Sequence, residues 1–319
     1  MRRRNFLRSA GGAILLGGMP AAAEERQSVT IGILTVFANP AFWKPFLDEM
    51  HTLGWEDGRN IRFHFVRTEG TNEGLPALVD SLVSEKVAAI VATGDPAIAA
   101  AQRVAPALPI VGITDDMVGS RLVGSMARPG GNTTGVSILA SELDVKRLGL
   151  LHELVPGAAR IGILADPTTI STRNAVEQAA KRLALEPVLA TAANREEVER
   201  ALDLLLGARV GAVNVLASPI LFGHHPVMIE RLNGARVPAI YQWPERVAEG
   251  AFAAYGPRFE HASRLLAPTL DRVLRGAKPA DLPVVQPTRF ELAVNLRTAK
   301  ALGLTIPQPI LARADEMIE

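Results

Sequence analysis

The 319-residue sequence predicts an α/β protein built from two similar Rossmann-like lobes, each an open parallel sheet with helices on both faces. Three observations carry this expectation. Short β-branched runs alternate with helical patterns from Val29 onward, the pattern recurs in the second half, and the length suits about two domains of ~150 residues. Each such domain is long enough to bury a core of its own.

The first strand is expected at Val29–Leu34 (VTIGIL), followed by a helix from about Pro40 to Leu53 and a strand near Ile61–Val66. The next helix, Asn72 to Lys86, places Leu75, Leu78, Val79, Leu82 and Val83 on one face at helical spacing. A strand at Ala88–Ala92, a helix from Pro96 and a strand at Pro109–Ile113 complete the first series. The second half repeats it. Ile31-Gly-Ile-Leu34 recurs as Ile161-Gly-Ile-Leu164 at an offset of 130, the stretch Val87–Pro96 recurs as Val210–Pro219 at 123, and Leu108-Pro-Ile-Val111 recurs as Val237-Pro-Ala-Ile240 at 129. Each match alone is common, but three in one order at nearly constant offset indicate duplicated lobes.

In open α/β sheets, ligands sit beyond the carboxyl ends of the strands. Two facing lobes therefore predict one cleft lined by paired loops: Thr35–Asn39 with Asp166–Thr169, Thr93–Pro96 with Ala217–Pro219, and Thr114–Met117 with Tyr241–Pro244. A concave site between domains is where small molecules usually bind, and hinged lobes close around them.

These loops carry the candidate contacts, each with a plainer structural reading. Thr93-Gly94-Asp95-Pro96 lies at a strand-to-helix turn whose backbone N–H groups suit a carboxylate; the plainer reading makes Asp95 an N-cap with Pro96 at the first helical position. Ser218 before Pro219 has the same two readings. Asp115 and Asp116 follow a buried strand, where a carboxylate can take a ligand amine or hydroxyl, or can cap a turn. Asp166 is their counterpart at the end of the first strand of lobe two. Phe37, Tyr241, Trp243 and Tyr255 can stack on a flat ligand or serve as core, and Thr35, Ser137 and Thr168 are hydroxyl candidates. Gly130 and Gly131 are read as a structural turn.

The first 23 residues read as an export signal. A basic start with Arg2, Arg3, Arg4 and Arg8 precedes a short apolar run, Ala10 to Met19, and Ala21-Ala-Ala23, with cleavage expected after Ala23. Arg3-Arg-Asn-Phe-Leu-Arg8 resembles a twin-arginine motif. Those four arginines produce the net charge of +1; the remaining 30 bases face 33 acids, which argues against a nucleic-acid partner. No other run is long and apolar enough to span a bilayer, so stable membrane insertion is not expected. With no cysteine, disulfides and thiolate chemistry are excluded. No phosphate-loop, GxGxxG or GxSxG motif is present, and the six histidines (His51, His64, His152, His224, His225 and His261) lack HExxH spacing. Neither catalysis, metal nor cofactor is expected, although a hydrolase assembled from scattered residues stays open as an alternative.

Several longer motifs resemble a known family. They are Arg128-Pro-Gly-Gly-Asn-Thr-Thr-Gly-Val-Ser137, Lys146-Arg-Leu with Leu151-His-Glu-Leu-Val-Pro-Gly157, Tyr255-Gly-Pro257, Gly276-Ala-Lys-Pro-Ala-Asp-Leu-Pro283, and the run from Gln286 through Ile306-Pro307 to Arg313-Ala-Asp-Glu316. The set, spanning about Val29 to Glu319, is similar to the ABC-transporter substrate-binding proteins often labelled tryptophan/tyrosine-type. The resemblance implies a type I periplasmic-binding-protein architecture with three hinge crossovers. Lobe one would cover 28–138 plus 257–280, and lobe two 139–256 plus 281–319. It further implies capture of a small solute, an amino acid or related organic anion, for the permease and ATPase subunits of an importer; with the export signal the expected location is the periplasm, and a monomer is the default expectation. A periplasmic sensor for a membrane receptor is the alternative. Two loops depart from the family pattern: Asp116-Met117-Val118 replaces Asp-Pro-Val, and Gly94-Asp95-Pro96 replaces Gly-Thr-Pro.

Overall fold

A computed structural model of the chain describes residues 28–319 apart from 38, 39, 139 and 168, and gives backbone alone at 140, 141, 170 and 171. The export signal and the candidate Thr168 lie outside the described residues. The first sheet contains β1 (Val29–Thr35), β2 (Ile61–Arg67), β3 (Ala89–Thr93), β4 (Ile110–Thr114) and β5 (Thr133–Ser137) in the order β2-β1-β3-β4-β5. All its pairings are parallel. The second contains β6 (Arg160–Ala165), β7 (Glu186–Thr191), β8 (Ala212–Val215), β9 (Ala239–Tyr241), β10 (Ala253–Gly256), β11 (Glu291–Asn295) and β12 (Glu316–Ile318). Its order is β12-β11-β10-β9-β8-β6-β7, with only the β10–β11 pairing antiparallel.

The strand order bears out the sequence repeat: β1, β3 and β4 occupy the places in the first sheet that β6, β8 and β9 occupy in the second. Strands β3, β4 and β8 are buried almost throughout, as parallel strands covered by helices on both faces must be, so their sequences are mostly apolar, with the buried Asn214 interrupting β8. The helix Pro40–Thr52 buries Phe42, Trp43, Phe46 and Met50 on the first sheet's core.

The chain passes between the sheets three times. It leaves the first sheet after β5 for the helix Ala140–Leu154, which packs in the core of the second sheet. It returns after β10, where Phe259, Leu266, Leu270 and Val273 join the first sheet's core. The third passage leads into β11. Thr134 Oγ1 donates to the Leu282 carbonyl at 2.7 Å, and the Val285 N–H donates to the Gly135 carbonyl at 2.8 Å, so the chain stays on the first sheet through Val285 before entering β11. With the Ser137 N–H donating to the Val285 carbonyl at 2.9 Å, this backbone pairing covers the edge of β5, a long-range pairing that local pattern does not reveal. The turn expected at Gly130 is present, with φ of 82°.

Candidate functional site

The carboxyl ends of β1, β3 and β4 face those of β8 and β9 across a cleft of about 640 Å3, counting its open mouth. Aromatic side chains from both sides form its walls: Phe37, Phe42 and Trp43 from the first sheet body, Phe222 and Trp243 from the second. Edge-to-face packing holds several of them, with Phe42 6.4 Å and Phe222 6.1 Å from Trp243. Thr35, Thr93, Thr114, Ser218 and Gln242 add polar atoms. Asp115 is the one charged side chain among the described residues lining the cleft.

Asp115 lines the cleft and is half-buried. Burial pushes its carboxyl well above the usual carboxylate range; the nearby Asp95 and Asp144 carboxylates add to the rise, and Arg147 partly offsets it. The loop carrying it is braced from beneath. The Asp95 carboxylate accepts from Thr114 Oγ1 and from Ser120 Oγ, and its own pKa is raised by burial. The Ser137 hydroxyl accepts from the Met117 N–H at 3.3 Å and donates to the Asp115 carbonyl at 3.4 Å.

Seven sequence candidates therefore meet at the cleft: Thr35, Phe37, Thr93, Gly94, Asp115, Ser218 and Trp243. Ser218 also caps the helix Pro219–Gly223, accepting from the Ile220 and Leu221 N–H groups. The other described candidates are directed elsewhere. Asp95 is not an N-cap: Gly94 takes that place, because the Asp95 carboxylate is committed to Thr114 and Ser120. Asp116 accepts from the N–H groups of Val118 and Gly119 and closes its own turn. Ser137 supports the Asp115 loop rather than the cleft wall, and Asp166 is buried at the end of β6. The Tyr255 hydroxyl accepts from Lys146, which also lies 4.3 Å from the ring centre. Tyr241 lies under the cleft floor, against a second cavity. Phe42, Trp43, Phe222 and Gln242 line the site without having been singled out; the available signal was their position in the turn or first helical residues after a cleft strand.

Behind the floor, Asp144 and Arg147 of the helix Ala140–Leu154 form an ion pair with both side chains fully buried. Arg147 Nη1 also donates to the Tyr255 carbonyl at 2.9 Å, and Asp144 accepts from the Ala217 N–H at 3.3 Å. The pair thus ties the helix to the ends of β8 and β10 and sets the position of Ser218. Burial raises the Asp144 carboxyl, and Arg147 opposes that rise. Removing one partner strands a buried charge. Arg147→Met is expected to cost about 3–5 kcal/mol in urea unfolding, and Asp144→Asn/Arg147→Met to recover much of it because no charge is left unpaired. Additive losses in the double-mutant cycle would show that the two groups act independently.

Two layers of parallel sheet closing on an aromatic cleft with a single carboxylate define a two-lobed small-molecule-binding protein. The family model described as ABC transporter substrate binding protein matches residues 31–318. This chain belongs to the family of ABC transporter substrate-binding proteins. It is 27% identical over 289 residues to the tyrosine-binding protein of Clostridioides difficile (strain R20291), covering 88% of this chain and 83% of the relative. Among solved structures, a conserved domain protein from Vibrio cholerae O1 biovar El Tor aligns with a TM-score of 0.85 at 24% identity, over 91% of this chain and 100% of that one. The ABC domain in complex with L-Trp from Streptococcus pneumoniae aligns with a TM-score of 0.83 at 22% identity, over 92% and 100%. Among the described residues, no helix is long and apolar enough to cross a membrane, and no three acidic or histidine side chains are placed to hold a metal ion.

Proposed function

We propose that the chain is the extracytoplasmic, monomeric capture component of an importer, taking an aromatic amino acid and presenting it to permease and ATPase subunits without chemical change. The observation that carries this reading is Asp115, the one charge among the described residues of an aromatic cleft lined from both sheets. A half-buried carboxylate among apolar walls gains from a cationic partner, so the solute has an ammonium end. The surrounding rings suit a flat apolar body. The tyrosine-binding relative and the tryptophan-bound structure have ligands of this class.

Lobe one, in this reading, is the first sheet with the helices Phe259–Arg264 and Leu266–Leu274 and the strand-like segment to Val285; lobe two is the second sheet with the helix Ala140–Leu154. Phe37 already meets His224 edge-on across the mouth, with ring centres 5.1 Å apart. A solute touching both lobes is bound fully only when they close, so binding shifts the population towards the closed form. The test is a thermal-shift screen against amino acids, organic acids, nucleosides and sugars, with recovery of the ligand. At 100 times its Kd, an aromatic amino acid should add about 2.7 kcal/mol and be recovered unchanged. Stabilisation by sugars or nucleosides alone would overturn the ligand class, and recovery of a product would make the protein an enzyme.

A further inference from the structure

Phe37, on the loop after β1, reaches across the cleft mouth to the second sheet body, where its ring stands edge-on to His224. Two glycines shape the seat it occupies. Gly70 is held beside the Phe37 loop by its N–H, which donates to the Val36 carbonyl at 3.2 Å. A Cβ at Gly70 would lie 2.6 Å from ring atoms Cε1 and Cζ. Gly223 comes from the opposite side, at the end of the helix Pro219–Gly223, and a Cβ there would overlap ring atoms Cδ2, Cε2 and Cζ. Ordinary carbon contacts need about 3.5–4.0 Å, so the ring fits only because both positions lack a side chain.

The two glycines serve different ends. Gly70 has φ of 86°, a conformation that favours glycine whatever lies beside it. Gly223 has no such need: its φ lies outside the left-handed region, and glycine in a helix is less favourable than alanine. What the missing side chain supplies at Gly223 is room for the Phe37 ring. Gly223 is also absent from the cleft lining formed by the described residues, so it acts on a solute only through Phe37. The walls of the seat come from both sheet bodies and meet around the ring only when the cleft is closed. We propose that Phe37 and Gly223 form a latch that holds the closed form and sets how long a captured solute stays. This rests on the two sheets moving as hinged lobes, as proposed above, and is independent of which solute the cleft takes. A solute enters before the latch forms, so losing the latch acts on dissociation rather than association.

The test is a double-mutant cycle of Gly223→Ala and Phe37→Ala with two readouts. The first is the distance between spin labels on the empty protein, at Val83→Cys in the helix Leu75–Ser84 and Leu204→Cys in the helix Arg195–Gly207. Both positions are exposed, and the chain has no cysteine of its own. The second is stopped-flow kinetics with L-tyrosine. Gly223→Ala should shift the distances towards wider separation and speed dissociation at least about tenfold, with association changed less than about twofold. In the Phe37→Ala background there is no ring to displace, so Gly223→Ala should change neither readout by more than about twofold. Unchanged distances and dissociation in Gly223→Ala overturn the latch, and so does an effect that persists in Phe37→Ala. If wild type does not bind L-tyrosine, the proposed solute is wrong, and the distances in the empty proteins still decide whether the latch exists.

Discussion

Replacing Asp115 with Asn is expected to weaken L-tyrosine binding on the order of 100-fold, about 2.7 kcal/mol, while making the empty protein more stable at neutral pH. Both effects have one cause. The folded protein holds the Asp115 carboxyl well above its usual pKa, chiefly by burial and then through Asp95 and Asp144. Below the ordinary carboxylate range both the folded and unfolded states are protonated, and Asp115 costs nothing. As pH rises from that range through the raised value, the unfolded chain ionises first, so stability is lost. An uncharged Asn escapes that loss. Binding has the opposite dependence, because an ammonium group needs the ionised carboxylate. Wild-type affinity should fall as pH drops through the raised value, whereas the affinity of Asp115→Asn should be flat there. Titrations across the acidic to neutral range, with melting curves of the empty proteins, read both effects. Wild-type affinity in Asp115→Asn would show that the ammonium is held elsewhere.

Gly94→Ala is expected to prevent full closure and to weaken solute binding at least about tenfold. Gly94 has φ of 85° and ψ of 153°, a conformation essentially confined to glycine, which adds about 1–3 kcal/mol of strain for alanine in any state of the lobes. The larger consequence is between the sheets. An alanine Cβ would lie 2.4 Å from Pro219 Cγ across the cleft, where ordinary carbon contacts need about 3.5–4.0 Å. Pro219 cannot yield readily, since its ring begins the helix that Ser218 caps. Small-angle scattering should therefore show ligand-induced compaction in wild type and much less in Gly94→Ala. Equal compaction in the two, with equal affinity, would mean that the close approach of Gly94 to Pro219 plays no part in binding.

The duplicated strands were legible because parallel strands covered on both faces need continuous β-branched runs, and Ile31–Leu34 and Ile161–Leu164 display them plainly. The nearly constant offset of the repeat then paired the loops, so Thr93–Pro96 and Ala217–Pro219 could be matched across a cleft from sequence alone. The direction of individual side chains could not be read this way. Asp95, Asp116 and Ser137 all sit on cleft loops, but each finds local or long-range hydrogen-bond partners that turn it away from the opening. Phe42 and Trp43 read as ordinary helix positions, since nothing in helical spacing says which buried face also borders an empty space.

Sequence by itself determined the two-sheet α/β plan, the paired loops and the family signature, because these depend on periodicity and on contiguous motifs. Tertiary structure alone decided which carboxylate faces the solute and how the floor behind it is held. Asp144 and Arg147, three residues apart on one helix, have the spacing of a common surface pair; only packing against β8 and β10 removes them from water and converts a minor ion pair into a fixed support. Burial also gives Asp115 its raised pKa, and burial depends on contacts between segments far apart in the chain.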